Sequence, residues 1–135
     1  MIGDGEMREI KFRGKCEDTG ELIVGYYGYK ELTDEHFIIV PTFDSHSDNR
    51  PQYFTDYLVD PESVGQYTGL KDKNGKEIFE GDILSHEKFG TLKVVFQSGK
   101  FDCVDNLNCS VRSLGKINEW TTILGNIWDN PELLK

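Results

Sequence analysis

No run of ten residues in this chain carries apolar side chains at helical period, and nearly every polar connection holds a glycine. That combination excludes a long amphipathic helix or a βαβ unit and leaves short strands joined by tight turns. The strongest local signal is Asn74-Gly75 within residues 71–79, because Asn-Gly tolerates the positive φ angles of a hairpin turn. Glu80-Gly81-Asp82 predicts a second sharp turn, and Gln97-Ser98-Gly99-Lys100 a third.

Between the turns, the side chains set the strands. Residues 8–13 alternate charged and apolar side chains at period two, as a half-buried strand requires. The turn Glu17-Asp18-Thr19-Gly20 then leads to residues 21–29, rich in β-branched and aromatic side chains and interrupted by Gly25 and Gly28. Residues 36–40 read as a short strand that Pro41 ends, because proline cannot donate to a ladder. Residues 42–49 read as a mobile loop between Pro41 and Pro51, and residues 52–59 return to strand composition. Asp60-Pro61 predicts one helical turn with proline at its first position. In the second half, strands are expected at 83–84, 92–96 and 101–104, a polar loop or single helical turn over 106–115, a closing strand at 120–128, and a capped helical turn at the end. The class is mainly β with short helical turns only.

The 135 residues, 37% apolar and 12% aromatic, suffice for one compact unit or two small lobes. Charge divides them. Residues 1–70 hold 6 basic and 14 acidic side chains, net -8, and residues 71–135 hold 9 and 10, net -1, for a total of -9. A net negative chain repels phosphate backbones and anionic lipid headgroups, so nucleic acid is a disfavoured partner. No apolar run approaches the roughly 20 residues of a membrane span, and the first residues lack a basic start and an apolar signal region, so a location in the cytoplasm, reduced thiols and no membrane partner are expected.

Candidate chemistry is sparse. Cys103 and Cys109 are five residues apart, outside the spacing of a zinc knuckle, Cys16 has no neighbour, and His36, His46 and His86 each stand alone. No metal, cofactor or catalytic residue is predicted. The turn glycines fit no phosphate-binding loop, and Glu80 and Asp82 read as turn-capping carboxylates. The aromatic group Tyr26, Tyr27, Tyr29, Tyr53 and Tyr57 stands out as a possible interaction surface, with cross-strand packing as its ordinary alternative.

Four segments, taken together, carry a resemblance. They are residues 8–13, residues 64–83 with Tyr67-Thr68-Gly69-Leu70-Lys71-Asp72-Lys73-Asn74-Gly75-Lys76-Glu77-Ile78, Val94-Val95-Phe96, and residues 124–134 ending in Asn130-Pro131-Glu132-Leu133-Leu134. In this order they resemble the YopX-like family of bacteriophage and prophage proteins. The resemblance runs from Met7 to the C-terminus, and the stretch from Leu32 to Pro61 departs from it. It implies a phage origin, a β-rich fold whose second half is similar to an SH3-type barrel, and no enzymatic activity. The expected layout is a leader at 1–6, an acidic antiparallel β lobe with a long loop at 7–66, and an SH3-like β-barrel lobe at 67–135.

The expected function is that of a non-enzymatic accessory protein binding a host or phage protein through the acidic lobe. The alternative is a nucleic-acid-binding SH3-like barrel, suggested by Lys71, Lys73, Lys76, Lys88, Lys93 and Lys100 in the nearly neutral half. A homo-oligomer is also expected, by pairing of residues 22–29, which hold no charge, should this strand form an edge; a central place between residues 8–13 and 36–40 is the alternative and removes the need for a partner.

Overall fold

The computed structural model describes residues 8–43 and 51–134, with the side chains of Pro51 and Gln52 left aside. The expected loop at 42–49 lies largely outside the described residues. The strands are β1 (Phe12–Lys15), β2 (Leu22–Lys30), β3 (Glu35–Phe43), β4 (Pro51–Val59), β5 (Gly65–Lys71), β6 (Glu77–Phe79), β7 (Asp82–His86), β8 (Gly90–Gln97), β9 (Lys100–Val104), β10 (Ser110–Ser113) and β11 (Thr121–Asn126). A single short helix, α1 (Leu114–Ile117), and three 3-10 turns complete the described elements. All pairing is antiparallel, in two sheets ordered β4-β3-β2-β1-β5-β6 and β10-β9-β8-β7-β11. The fold is mainly β.

Ile10–Gln66 forms one compact unit, and Arg8 and Glu9 together with the residues from Tyr67 onward belong to the other. In the first, β1 pairs with β2 from Phe12↔Gly25 to Lys15↔Leu22, so strand structure starts at Phe12 and not at residue 8. The turn at 17–20 closes with the Cys16 N–H donating to the Glu21 carbonyl at 2.8 Å, and Gly20 takes φ 74. The far end of β4 returns to β1: Cys16 bridges Val59, Glu17 N–H donates to the Leu58 carbonyl, and Asp60 N–H donates to the Lys15 carbonyl, both at 3.0 Å. Gly14 has no side chain because the Val59 side chain occupies that space. Ile38 and Val59 are the buried centre of this unit. Asp60 caps the 3-10 turn Pro61–Ser63 by accepting from Glu62 N–H at 3.0 Å, with proline at the first position as its fixed φ favours.

Two sequence readings are corrected in this unit. β3 does not stop at Pro41: it continues to Phe43, with Pro41 opposite Phe54. The last β2–β3 pair is Tyr26↔Ile39, so at Pro41 the strand has a neighbour on one side only and the missing donor breaks no ladder. The other correction concerns the edge. β2 is not the edge strand: it lies between β1, which pairs with residues 22–25, and β3, which pairs with residues 26–30, and the sheet's edge strand in this unit is β4.

In the second unit, Tyr67 and Lys71 of β5 pair with Phe79 and Glu77 of β6 around the Asn74-Gly75 turn. The turn closes through Asp72 N–H to the Lys76 carbonyl at 2.8 Å and Gly75 N–H to the Asp72 carbonyl at 3.0 Å, with Gly75 at φ 82. The core packs Ile78, Leu84, Leu92, Val94, Cys103, Leu114 and Ile117, flanked by Leu70, Phe89, Phe101, Val111 and Ile123. A strand not foreseen, β10, sits beside β9 where a loop was expected; its sequence Ser110-Val111-Arg112-Ser113 is polar because it is a short edge. The five-stranded sheet ends at β10 and β11, and among the described residues no pairing joins them into a closed barrel.

Candidate functional site

The sheet register sorts the five tyrosines. Tyr27, Ile38 and Tyr57 lie opposite one another across β2, β3 and β4, so Tyr27, Tyr29, Tyr53 and Tyr57 share one face. Tyr26, opposite Ile39, points from the other face with Val24 and Phe54. Tyr27 and Tyr29 form a cluster around His36: the Tyr27 hydroxyl bonds His36 Nδ1, the Tyr29 ring lies 4.8 Å from the imidazole, and the Tyr29 hydroxyl donates to Asp34 Oδ1 at 2.8 Å. That bond to a carboxylate raises the Tyr29 pKa, since the phenol must keep its proton to make it. Phe12 packs on Tyr27 from β1 at 5.6 Å between centroids. Tyr57 is half-buried, while Tyr53 and Phe54 are exposed at the other end of the sheet. Four of the five tyrosines therefore share one face, with Tyr27 and Tyr29 joined around His36, and Tyr26 lies on the other.

The β4 edge is the more constrained feature. Leu58 presents its carbonyl outward, to Glu17 N–H, so by the two-residue repeat of a strand the backbone groups of Asp56 and Phe54 also point to the open side. Among the described residues nothing pairs with them.

A second site comes from the hairpin at Asn74-Gly75. Asp72 is buried, and its Oδ1 accepts the N–H groups of Asn74 and Lys76, both at 2.9 Å, while Oδ2 accepts that of Ile123 at 3.0 Å. Burial alone would raise its pKa, but these backbone donors outweigh that and hold the carboxyl below its usual range. The Lys73 N–H donates to the Thr121 carbonyl at 2.9 Å, and Asn118 Nδ2 donates to the Lys71 carbonyl at 2.7 Å, so the hairpin is fastened to the start of β11. Thr121 is also the register partner of His86 at the end of β7. Three segments thus meet at Thr121, and the adjacent side chains line a recess of about 550 Å³: Lys73, His86, Glu87, Lys88, Glu119 and Trp120. Trp120 is 64% exposed. His86 Nδ1 accepts the N–H groups of Lys88 (3.0 Å) and Phe89 (3.2 Å), so the neutral ring carries its proton on Nε2. The Phe89 ring stacks against the imidazole at 4.7 Å, and Lys88 Nζ sits 5.6 Å from its centroid.

Sequence reasoning placed Lys73 and Lys88 in a diffuse lysine group and passed over Trp120. The β7–β11 register and the bond from Lys73 N–H to the Thr121 carbonyl bring these residues together, and contacts between segments so far apart in the chain have no local signature. Cys103, by contrast, is fully buried and its thiol is pushed up to about 12, chiefly by burial, while Cys109 is exposed. Among the described residues no three His, Cys, Asp or Glu side chains converge as a metal site would need, and no helix is long and apolar enough to cross a membrane.

Fold and surface define a two-unit antiparallel β protein with an open edge strand in one unit and an aromatic, charged recess in the other. The YopX protein family matches residues 11–135, and the chain belongs to that family. Among solved structures, it is similar to the crystal structure of protein EF1440 from Enterococcus faecalis, at 26% identity and a TM-score of 0.52, over 96% of this chain and 100% of that one. No curated protein matches it.

Proposed function

We propose that this protein is a non-enzymatic accessory protein of phage or prophage, acting in the bacterial cytoplasm as a protein-binding module. The observation that carries the reading is the β4 edge, where the outward backbone groups of Phe54 and Asp56 are flanked by exposed Tyr53 and Phe54. An open strand of this kind accepts an extended partner segment as one more strand, with backbone bonds supplying affinity and side chains supplying selectivity. Residues 1–70 carry net -8, which favours a partner with basic side chains. The buried carboxylates Asp72 and Asp102 support a non-catalytic reading, because both tie down neighbouring groups: Asp102 accepts Ser110 Oγ at 2.6 Å and Gln97 Nε2 at 2.9 Å.

The test is site-specific photocrosslinking from position 53 or 54 in bacterial host lysate, with position 97 on the second unit as control. Crosslinks to one protein from β4 alone, abolished by Phe54→Lys in a folded variant, are the expected result. Equal crosslinking from both units would end the reading. No distinct observation favours the nucleic-acid alternative with an SH3-like second half.

A further inference from the structure

We propose that the recess at Thr121 binds a mononucleotide, with the base stacked on Trp120 and the phosphate held by Lys73, Lys88 and the His86 Nε2–H. The first support is chemical diversity in a small space. A volume of about 550 Å³ lies within the usual range of small-ligand sites, and the lining offers one planar aromatic, two ammonium groups and two carboxylates.

The second support is that four of these side chains have no polar partner in the protein. Among the described residues, Lys73 Nζ, the Glu87 and Glu119 carboxylates and the Trp120 indole N–H make no hydrogen bond or ion pair, although they line the same recess. A large aromatic that is 64% exposed has surrendered the stabilisation of burial, and stacking with a ligand returns it. Third, the frame is fixed before any ligand arrives. Lys73 is held by its backbone bond to Thr121, the hairpin by three bonds to Asp72, and His86 by its two backbone donors. That bonding leaves Nε2–H as the imidazole's available donor, the polarity a phosphate oxygen requires. The carboxylates, which would repel a polyphosphate or a polynucleotide, accept from sugar hydroxyls and base amino groups. Two ammonium groups and one imidazole N–H are donors enough for one phosphate, whereas a tracked backbone needs a longer run of cations.

Isothermal titration of the full chain with AMP, GMP, CMP and UMP, beside adenosine and inorganic phosphate, tests the proposal. At least one mononucleotide is expected to bind with a dissociation constant below about 1 mM, more tightly than its nucleoside or phosphate alone. Trp120→Ala and Lys73→Glu are each expected to weaken binding by about tenfold or more, and circular dichroism with Trp128 fluorescence reports that both variants are folded. Absence of binding by all four mononucleotides at 5 mM, or binding unmoved by both substitutions, would overturn the site. A 5′-phosphorylated single-stranded decamer is the further arm. Binding of the decamer far more tightly than of any mononucleotide, with a salt slope of several phosphate contacts, would show a strand-binding surface and refute the single-nucleotide assignment.

Discussion

Gly81 shows how two constraints fall on one residue. It sits at φ 94 between Phe79 and Ile83, and the Trp128 indole occupies the position a Cβ would take. The sequence exposed the turn through Glu80-Gly81-Asp82; the tryptophan, 47 positions further on (128 − 81), has no local trace. Gly81→Val is expected to destabilise by about 2 to 5 kcal/mol, combining left-handed strain with overpacking. Gly69→Ala is the control: φ is 84 but the space beside it is empty, so only about 1 kcal/mol of conformational cost applies. Equal shifts in the denaturation midpoints of the two variants would show that Trp128 yields freely.

Asp72 was legible only as a turn residue, yet it fastens the hairpin to β11 through Ile123. Its folded pKa lies below the unfolded value, so it contributes stability above the unfolded value of about 3.9 and loses it as pH falls through the lower folded value. Asp102 behaves the same way: burial raises its pKa, and bonds from Ser110 and Gln97 bring it below the usual value. Asp72→Asn keeps the shape but exchanges charge-assisted acceptors for an amide, and is expected to cost about 1 to 3 kcal/mol at neutral pH. The gap from the parent protein narrows as pH falls below about 4, because the unfolded parent takes up a proton there while the folded carboxylate, held below its usual range, still resists one. Chemical denaturation at pH 7 and pH 3 measures both, and a gap that widens at pH 3 would contradict the assignment.

At the level of elements, turns were more legible than strand limits. Every glycine-bearing turn that the residues signalled at 17–20, 74–75, 81 and 98–99 is present, because a positive φ leaves a residue-type signature. Strand ends did not follow local rules: β1 starts four residues after the alternation at Arg8, and β3 passes through Pro41, since pairing partners decide where a ladder begins and ends. The β8–β9 hairpin yields a prediction of its own. Ser98 and Gly99 both have positive φ, 55 and 74, between Gln97↔Lys100, the geometry of a type I′ turn. Serine is poor at that first position and asparagine is preferred. Ser98→Asn is therefore expected to stabilise by about 0.5 kcal/mol, part of the left-handed cost that asparagine offsets with its short polar side chain. Thermal melts decide it, and a lowered midpoint would mean that the Ser98 hydroxyl has a role the backbone does not explain.

Over the whole molecule, composition foretold an electrostatic asymmetry that the fold does not erase. The carboxylates that the second half buries, Asp72, Asp82 and Asp102, are bonded to backbone and side-chain donors. Most of the first half's acids, including Glu17, Asp18, Glu21, Glu31, Asp34, Asp56, Asp60 and Glu62, face water. Net -8 over residues 1–70 is therefore mutual repulsion among solvated charges, which folding brings together and unfolding relieves. Such repulsion reaches across the molecule at about 0.01 M salt, where the Debye length is about 30 Å, and fades by about 0.15 M, where it is about 8 Å. Raising sodium chloride over that range is expected to raise the melting temperature by a few degrees, each kcal/mol relieved corresponding to about 3 to 5 °C for a chain of this size. The increment should shrink in a variant neutralised at Asp18, Glu31 and Glu62, three exposed acids of the first unit, and persist in one neutralised at Glu87, Glu119 and Glu132 of the second. Differential scanning calorimetry of the three proteins at both salt concentrations separates these cases. A salt increment reduced equally in both variants would place the repulsion in the molecule as a whole and not in its acidic half.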